Sequence, residues 1–97
     1  MPEVKITPTA RNDIKGIARY TQENWGSKQR ELYLSTLEKT VYSLPETRRL
    51  DDDYSDIRPN LLSCRCQKHR IFFWRDDLDN IEVLRILGQT MDFERHL

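Results

Sequence analysis

The chain has 97 residues, which leaves room for one domain with one hydrophobic core and excludes a second domain. Its 16 basic side chains balance its 16 acidic ones, so it lacks the overall positive charge that non-specific nucleic-acid binders use. No apolar run approaches the ~18 residues needed to span a bilayer, and the N-terminus lacks a signal-peptide pattern. We therefore expect a cytoplasmic protein without membrane contact.

The N-terminal half predicts a short strand over residues 3–7 followed by two helices. Thr7 is the expected N-cap of the first helix, and Gly26 is expected to end it. Ser27 is the expected cap of a second helix that runs to about Leu44, so the two form an antiparallel hairpin. Apolar positions at three- and four-residue steps predict the inward faces, Ala10, Ile14, Ile17, Ala18, Thr21 and Trp25 in the first helix and Leu34, Leu37, Val41 and Leu44 in the second.

The C-terminal half predicts a loop followed by a sheet. Residues 45–59 are polar and rich in turn formers, which predicts a loop of about 15 residues. Strands are expected near 60–66, 69–75 and 80–87, joined by short turns and paired antiparallel. The order β-α-α-β-β-β predicts an α+β domain, with the helical hairpin packed on one face of a small, mainly antiparallel four-stranded sheet.

Aromatic residues are concentrated in the second of these strands. Phe72 and Trp74 should face one side of the sheet, and Ile71 and Phe73 the other. One of these sets must belong to the core. Stacking on the bases of single-stranded RNA would therefore explain at most half of the aromatic side chains.

Charge is distributed unevenly between the loop and the strands. The loop holds four acids without a base, at Asp51, Asp52, Asp53 and Asp56. We interpret these acids as a solvated loop rather than a cation site. Five bases follow without an intervening acid, at Arg58, Arg65, Lys68, Arg70 and Arg75. The sequence thus predicts an acidic loop beside a basic pair of strands.

Nucleophilic and metal chemistry have little support. Cys64 and Cys66 are two residues apart on one strand, where a disulfide would be strained, so free thiols are expected. A catalytic thiol would need a base, and nothing in the sequence fixes His69 or His96 beside either cysteine. The spacing of Cys64, Cys66 and His69 does not resemble a structural zinc site. We expect no metal and no cofactor.

The C-terminal tail offers the strongest catalytic alternative. A histidine or a carboxylate acting on a 2′-hydroxyl, with arginines stabilising the phosphorane, can cleave RNA, and the tail offers both in Glu94-Arg95-His96. His96, together with Arg58, Arg85 and Arg95, would supply these groups. A short charged tail can equally be frayed surface without chemistry.

The helical hairpin carries more large apolar side chains than its inward stripes require. Trp25, Leu32 and Tyr33 are left at its side. They are either ordinary core residues or the lining of a groove for the amphipathic segment of a partner.

The order of these residues resembles the ParE toxins of bacterial toxin–antitoxin modules. The resemblance spans nearly the whole chain. It rests on Thr7-x-x-Ala10-x-x-Asp13-Ile14-x-x-Ile17-x-x-Tyr20, Trp25-Gly26, Tyr33, Ile57-Arg58, His69-x-Ile71-Phe72, Leu84-Arg85-Ile86-Leu87 and Met91-Asp92.

What this resemblance implies is a RelE/ParE-like fold and a poison of DNA gyrase that traps the enzyme on cleaved DNA. Such a toxin is not an enzyme and contacts no nucleic acid directly. It is silenced by a ParD-like antitoxin with an N-terminal ribbon-helix-helix region. On this basis our candidates for gyrase contact are Arg85, Met91, Arg95 and His96, and our candidates for antitoxin contact are Trp25, Leu32, Tyr33, Arg58 and Arg65.

Two further hypotheses follow from the same residues. The first is a ribosome-dependent messenger RNA endonuclease of the RelE type, which would use Arg58, Arg85 and His96. The second is a non-toxic member of the family that is retained as a co-repressor. The basic strand Asn60–Cys66 is expected to be an exposed edge that suits pairing with an extended acidic segment.

Overall fold

The chain begins with a short strand, β1 (Val4–Ile6), and passes at once into a long helix, α1 (Pro8–Trp25). The computed structural model describes residues 2–97. The Thr7 side chain accepts a hydrogen bond from the backbone N–H of Ala10 at 3.1 Å, which caps the helix as predicted. Within the described residues, none of the helices combines the length and apolar character needed to cross a membrane.

The second helix, α2 (Ser27–Ser43), starts directly after the first. Gly26 has a φ of 89°, in the region that favours glycine, and its carbonyl accepts the N–H of Arg30 at 3.1 Å. Gly26 is therefore the N-cap of α2 as well as the end of α1, and the prediction that Ser27 caps this helix is wrong because Ser27 is already helical. The predicted end near Leu44 is confirmed to within one residue.

The segment 45–59 is more structured than the predicted loop. Two 3₁₀ turns (Leu44–Glu46 and Arg48–Leu50) lead into a two-residue strand, β2 (Asp52–Asp53). The loop interpretation failed because such short elements leave no periodic signal in the sequence. The residues of β2 are held by pairing with the strand over residues 62–66.

Three longer strands and a single helical turn complete the chain. They are β3 (Leu62–Cys66), β4 (His69–Arg75), β5 (Ile81–Gly88) and α3 (Phe93–His96). The sheet has the order β1-β5-β4-β3-β2, with β1 parallel to β5 and all other pairs antiparallel. The α+β class and the mainly antiparallel sheet are confirmed, but the sheet has five strands rather than four.

The predicted free edge at Asn60–Cys66 is partly covered by the chain itself. β2 pairs with β3 in the register Asp52 to Ser63 and Asp53 to Leu62. An acidic segment does pair with the basic strand, as the charge pattern suggested, but it belongs to this chain. The expectation of a fully exposed edge is therefore wrong.

The main core lies between the helical hairpin and one face of the sheet. Its buried members are Ala10, Ile17, Leu37, Val41, Leu44, Cys64, Cys66, Ile71, Phe73, Ile81, Val83 and Ile86. The inward face predicted for α2 is confirmed, because Leu37, Val41 and Leu44 are buried and Leu34 is half-buried. Trp25 departs from the stripe predicted for α1, because it lies at the last helical position and 65% of its surface is exposed.

A second, smaller core lies on the opposite face of the sheet. Phe72, Leu61 and Leu87 are buried there beneath Tyr54 and Phe93. Phe72 and Phe73 are therefore both buried although they face opposite sides of the sheet. One aromatic set was expected to be core, and the structure buries residues of both sets, because the segment after β2 and the C-terminal tail cover the second face.

Candidate functional site

The C-terminal tail is anchored on the second face of the sheet. The Phe93 ring packs edge-on against Phe72, with centroids 4.9 Å apart, and against Tyr54 at 6.2 Å. Leu97 packs on the same cluster, and its N–H donates to the carbonyl of Phe93 at 2.9 Å. The tail is thus a docked turn of helix.

Arg85 joins this tail to the first helix. Phe72 pairs with Arg85 and Phe73 pairs with Val83, so the intervening Leu84 forms a β-bulge that changes the direction of the strand. The Arg85 guanidinium binds both carboxylate oxygens of Asp13, at 2.8 and 3.0 Å, and donates to the His96 carbonyl at 2.8 Å. Hydrogen bonding to Asp13 raises the pKa of Arg85.

The other predicted gyrase contacts present their side chains to solvent. Arg95 and His96 are exposed on α3, and their charges lie in its last turn. Met91 is 37% exposed, and its sulfur accepts the N–H of Gly88 at 3.3 Å. Within residues 2–97, Arg85 is the one of the four candidates that forms an ion pair, with Asp13, and it contacts the tail at the carbonyl of His96.

The predicted antitoxin residues separate into two groups. Trp25 and Tyr33 line a groove of about 590 Å³ between the end of the helical hairpin and the turn after β3. The remaining residues of this hairpin groove are Tyr20, Thr21, Gln29, Gln67, Lys68 and His69. Leu32 is 56% exposed on α2 and lies outside it.

Arg58 and Arg65 belong to other surfaces. The guanidinium carbon of Arg58 lies 5.1 Å from the centre of the Trp74 ring, a cation–π geometry. Arg65 is exposed on β3, and its Nε donates to the carbonyl of Gln67 at 3.4 Å. The structure therefore does not gather all five antitoxin candidates on one surface.

A tyrosine–histidine pair forms one wall of the hairpin groove. The Tyr33 hydroxyl accepts the N–H of Lys68 at 3.2 Å and is hydrogen-bonded to Nδ1 of His69. Burial lowers the pKa of His69, so the neutral ring that accepts from Tyr33 is favoured, and burial raises the pKa of Tyr33. The groove lining carries one lysine, this histidine and no carboxylate.

The groups proposed for RNA cleavage have other partners. Arg85 is neutralised by Asp13, and Arg58 is stacked on Trp74. His96 meets Arg85 through its backbone carbonyl rather than its imidazole. In residues 2–97 these three side chains share no hydrogen bond.

The cysteines and the acidic loop have structural roles. Cys64 and Cys66 are buried free thiols, and burial raises the pKa of Cys64. Asp51 forms a buried ion pair with Arg75, so the view of the acids as wholly solvated is wrong for this residue. Residues 2–97 contain no cluster of three or more potential metal ligands.

Comparison with known proteins then assigns the family. A family model described as the ParE toxin of the type II toxin–antitoxin system parDE matches residues 4–93. The chain belongs to the ParE toxin family. Toxin ParE of Escherichia coli is 32% identical over 92 residues, covering 95% of this chain and 89% of that protein. Toxin ParE1 of Mycobacterium tuberculosis is 28% identical over 92 residues, covering 95% and 94%.

Solved structures show the ParE fold more widely. A chain of the chromosomal ParDE system from P. aeruginosa superposes with a TM-score of 0.76 at 17% identity, covering 91% of this chain and 96% of that one. A chain of the RelBE2 toxin–antitoxin complex from Mycobacterium tuberculosis gives 0.67 at 18% identity, covering 92% and 100%. The YoeB dimer from Staphylococcus aureus gives 0.61 at 16% identity, covering 91% and 97%. At these identities the likeness concerns the fold alone.

Two contacts of this ParE chain escaped prediction. Asp13 belonged to the motif that carried the resemblance, yet its partner Arg85 is 72 positions away and no local pattern links them. The sequence suggested His69 as a base, a metal ligand or part of the family motif, whereas its place at the start of β4 puts it against Tyr33 of α2. Both depend on contacts between elements that are distant in the sequence.

Proposed function

We propose that this toxin inhibits DNA gyrase through its C-terminal tail, trapping the enzyme on cleaved DNA. Membership of the ParE family supports gyrase as the target. The observation that carries the assignment to residues is the docked tail, on which Arg95 and His96 are exposed above a buried aromatic base. A rigid base lowers the entropy lost when such side chains bind a partner.

The proposed inhibition is stoichiometric and involves no bond-breaking by the toxin. Arg58 and Arg85 already hold Trp74 and Asp13, which favours a binding role for the tail over a ribonuclease role. Acting on gyrase requires that the toxin work in the cytoplasm, as the sequence predicted.

The test is a supercoiling assay with purified toxin, gyrase, ATP and plasmid, followed by detergent and protease to reveal cleaved DNA. Linear DNA should appear only with gyrase and should increase with toxin concentration until it saturates. The variant Arg95→Ala/His96→Ala should lose this activity at least 10-fold. The matched control Arg19→Ala/Gln22→Ala alters two exposed residues of α1 and should keep it.

Two results would contradict this proposal. One is unaltered supercoiling by folded, antitoxin-free toxin. The other is cleavage of messenger RNA by the same preparation in a translation extract, which would point to the RelE-type reaction.

We further propose that the hairpin groove receives an apolar segment of a ParD-like ribbon-helix-helix antitoxin. Trp25 and Tyr20 are 65% and 64% exposed at its rim, and aromatic residues of this kind commonly dominate binding energy. The lining has Lys68 and no carboxylate, so an acidic residue flanking the apolar segment would be favoured.

Replacing Trp25 with Ala should weaken antitoxin binding by roughly 30-fold or more, corresponding to a hot spot of about 2 kcal/mol. Tyr42→Ala is the matched control, because Tyr42 is 55% exposed on α2 but lines a different groove. Titration calorimetry with the antitoxin measures the affinity of the two variants. Equal loss of affinity in the two variants would argue against the hairpin groove.

A further inference from the structure

We infer that Asp13 is a positioning residue for the toxic tail and acts on it through Arg85. This inference rests on the proposed function, because it takes the tail as the surface that meets gyrase. Asp13 lies on α1, and His96 follows it 83 positions later on α3. Its effect would be transmitted by two successive sets of hydrogen bonds.

The first set joins Asp13 to strand β5. One carboxylate oxygen accepts from Nε of Arg85 at 2.8 Å and from the backbone N–H of Ile86 at 2.9 Å, and the other accepts from Nη2 of Arg85 at 3.0 Å. The carboxylate thus takes the position that a neighbouring strand would occupy beside β5. The Thr7 hydroxyl donates to the carbonyl of Leu84 at 3.2 Å, which adds another side-chain hydrogen bond along the same edge of β5.

The second set joins Arg85 to the tail. Its Nη1 donates to the carbonyl of His96 at 2.8 Å, one of the last carbonyls of α3, which a helix of four residues cannot satisfy by itself. Both Asp13 oxygens hold the planar guanidinium, which fixes the direction in which Nη1 points. Asp13 therefore determines where the end of the tail is bound.

The burial of the pair makes this arrangement sensitive to substitution. The Arg85 and Asp13 side chains are only 23% and 15% exposed, so an unpaired guanidinium there would turn toward water to recover its hydration. It would then release the His96 carbonyl. Phe93 and Leu97 would still touch the sheet, but nothing would fix the orientation of Arg95 and His96.

The test compares Asp13→Asn, Arg85→Gln and the double variant. The amide oxygen of the introduced asparagine can still accept the N–H of Ile86 and Nε of Arg85, but the negative charge is lost and its NH₂ group cannot accept Nη2, so the guanidinium is no longer held at two points. The readouts are ¹⁵N order parameters for residues 93–97, gyrase inhibition and antitoxin affinity. Asp79→Asn is the matched control, since Asp79 also binds arginines but lies in the β4–β5 turn, with a φ of 62° that asparagine tolerates.

Asp13→Asn should lower the order parameters of the tail amides below about 0.6, the range of flexible backbone. It should weaken gyrase inhibition at least 10-fold and leave antitoxin affinity unchanged within twofold. The double variant should match Arg85→Gln, because Asp13 acts through Arg85. The control should leave tail order and gyrase inhibition as in the parent chain.

Distinct outcomes would overturn distinct claims. Unchanged tail order in Asp13→Asn, or an additional loss in the double variant, overturns the positioning role whatever the gyrase assay gives. A loosened tail with undiminished gyrase inhibition overturns the inference by showing that tail order does not govern toxicity. If the parent chain itself fails to inhibit gyrase, the proposed function falls, and the coupling of Asp13 to tail order is still measured independently.

Discussion

The carboxylate of Asp51 holds the guanidinium of Arg75 at both oxygens, with Nε and Nη2 each 2.8 Å away, across 24 positions of sequence. Arg75 also donates to the carbonyl of Leu44 at 2.8 Å and lies over the Phe73 ring. The side chains of Arg75 and Asp51 are 2% and 9% exposed. Hydrogen bonding to Asp51 raises the pKa of Arg75. This pair secures the segment between α2 and β2 to the end of β4.

Removing one partner of this pair should destabilise the fold. Asp51→Ala leaves a buried guanidinium with only Asp79 as counter-charge, and breaking a pair of this kind costs about 3 kcal/mol. Urea unfolding of the parent and variant chains measures the loss. Arg48→Ala breaks the neighbouring exposed pair with Asp79 and should leave the free energy of unfolding almost unchanged. A comparable loss in both variants would show that burial is not the reason.

The second core predicts unequal effects for its two phenylalanines. Phe72 is fully buried, so Phe72→Ala should cost about 3–5 kcal/mol. Phe93 is half-buried, so Phe93→Ala should cost about 1–2 kcal/mol, consistent with its smaller buried area. Thermal and urea unfolding of the two variants provide the comparison. If Phe93→Ala caused no loss, the tail would not be docked in solution.

The Tyr33–His69 pair predicts that stability depends on pH near neutrality. Burial lowers the pKa of His69 in the folded chain below its value of 6.5 in the unfolded chain. The unfolded chain therefore binds more protons as the pH falls through about 6.5, and the free energy of unfolding should decrease from pH 7.5 to pH 5.5. Below the pKa that His69 has in the folded chain, protonation of this residue should cause no further decrease in the free energy of unfolding.

His69→Gln separates this effect from other titrations. The variant should show a flatter dependence over the same interval, measured by urea unfolding at pH 7.5, 6.5 and 5.5. An identical pH slope in the two chains would rule out His69 as the source.

The two thiols should be unreactive in the folded chain. Cys64 and Cys66 are 7% and 5% exposed, and burial raises the pKa of Cys64, which lowers the fraction of reactive thiolate. Ellman's reagent at pH 7.5 should label both only after denaturant is added. Rapid labelling without denaturant would mean that β3 opens readily.

Local sequence patterns predicted the elements in which apolar residues recur or cluster along the chain. The apolar steps of α2 located Leu37 and Val41 in the core, and the apolar run around Ile71 located β4. Patterns of this kind could not reveal β2, because two residues contain no period, or the second core, because it depends on Phe93 returning to Phe72.

The candidate site was less predictable for a related reason. The sequence left Trp25 and Tyr33 open between core residues and the lining of a groove, and the structure places both in the hairpin groove. Arg85 was named as a contact residue, but its ion pair with Asp13 is decided by the β-bulge at Leu84 and the position of α1. Such long-range geometry has no local signature.

The pairing of β1 with β5 also governs when the protein can become active during its synthesis. Val4 aligns with Ile81, so β1 leaves the ribosome well before its partner strand, and the sheet cannot close until β5 has emerged. The two helices meanwhile lack most of the surface on which they pack, and non-local pairing of this kind slows folding. Until β5 and the tail have been synthesised, a nascent chain therefore carries neither the closed sheet nor the docked tail on which the proposed contact with gyrase depends.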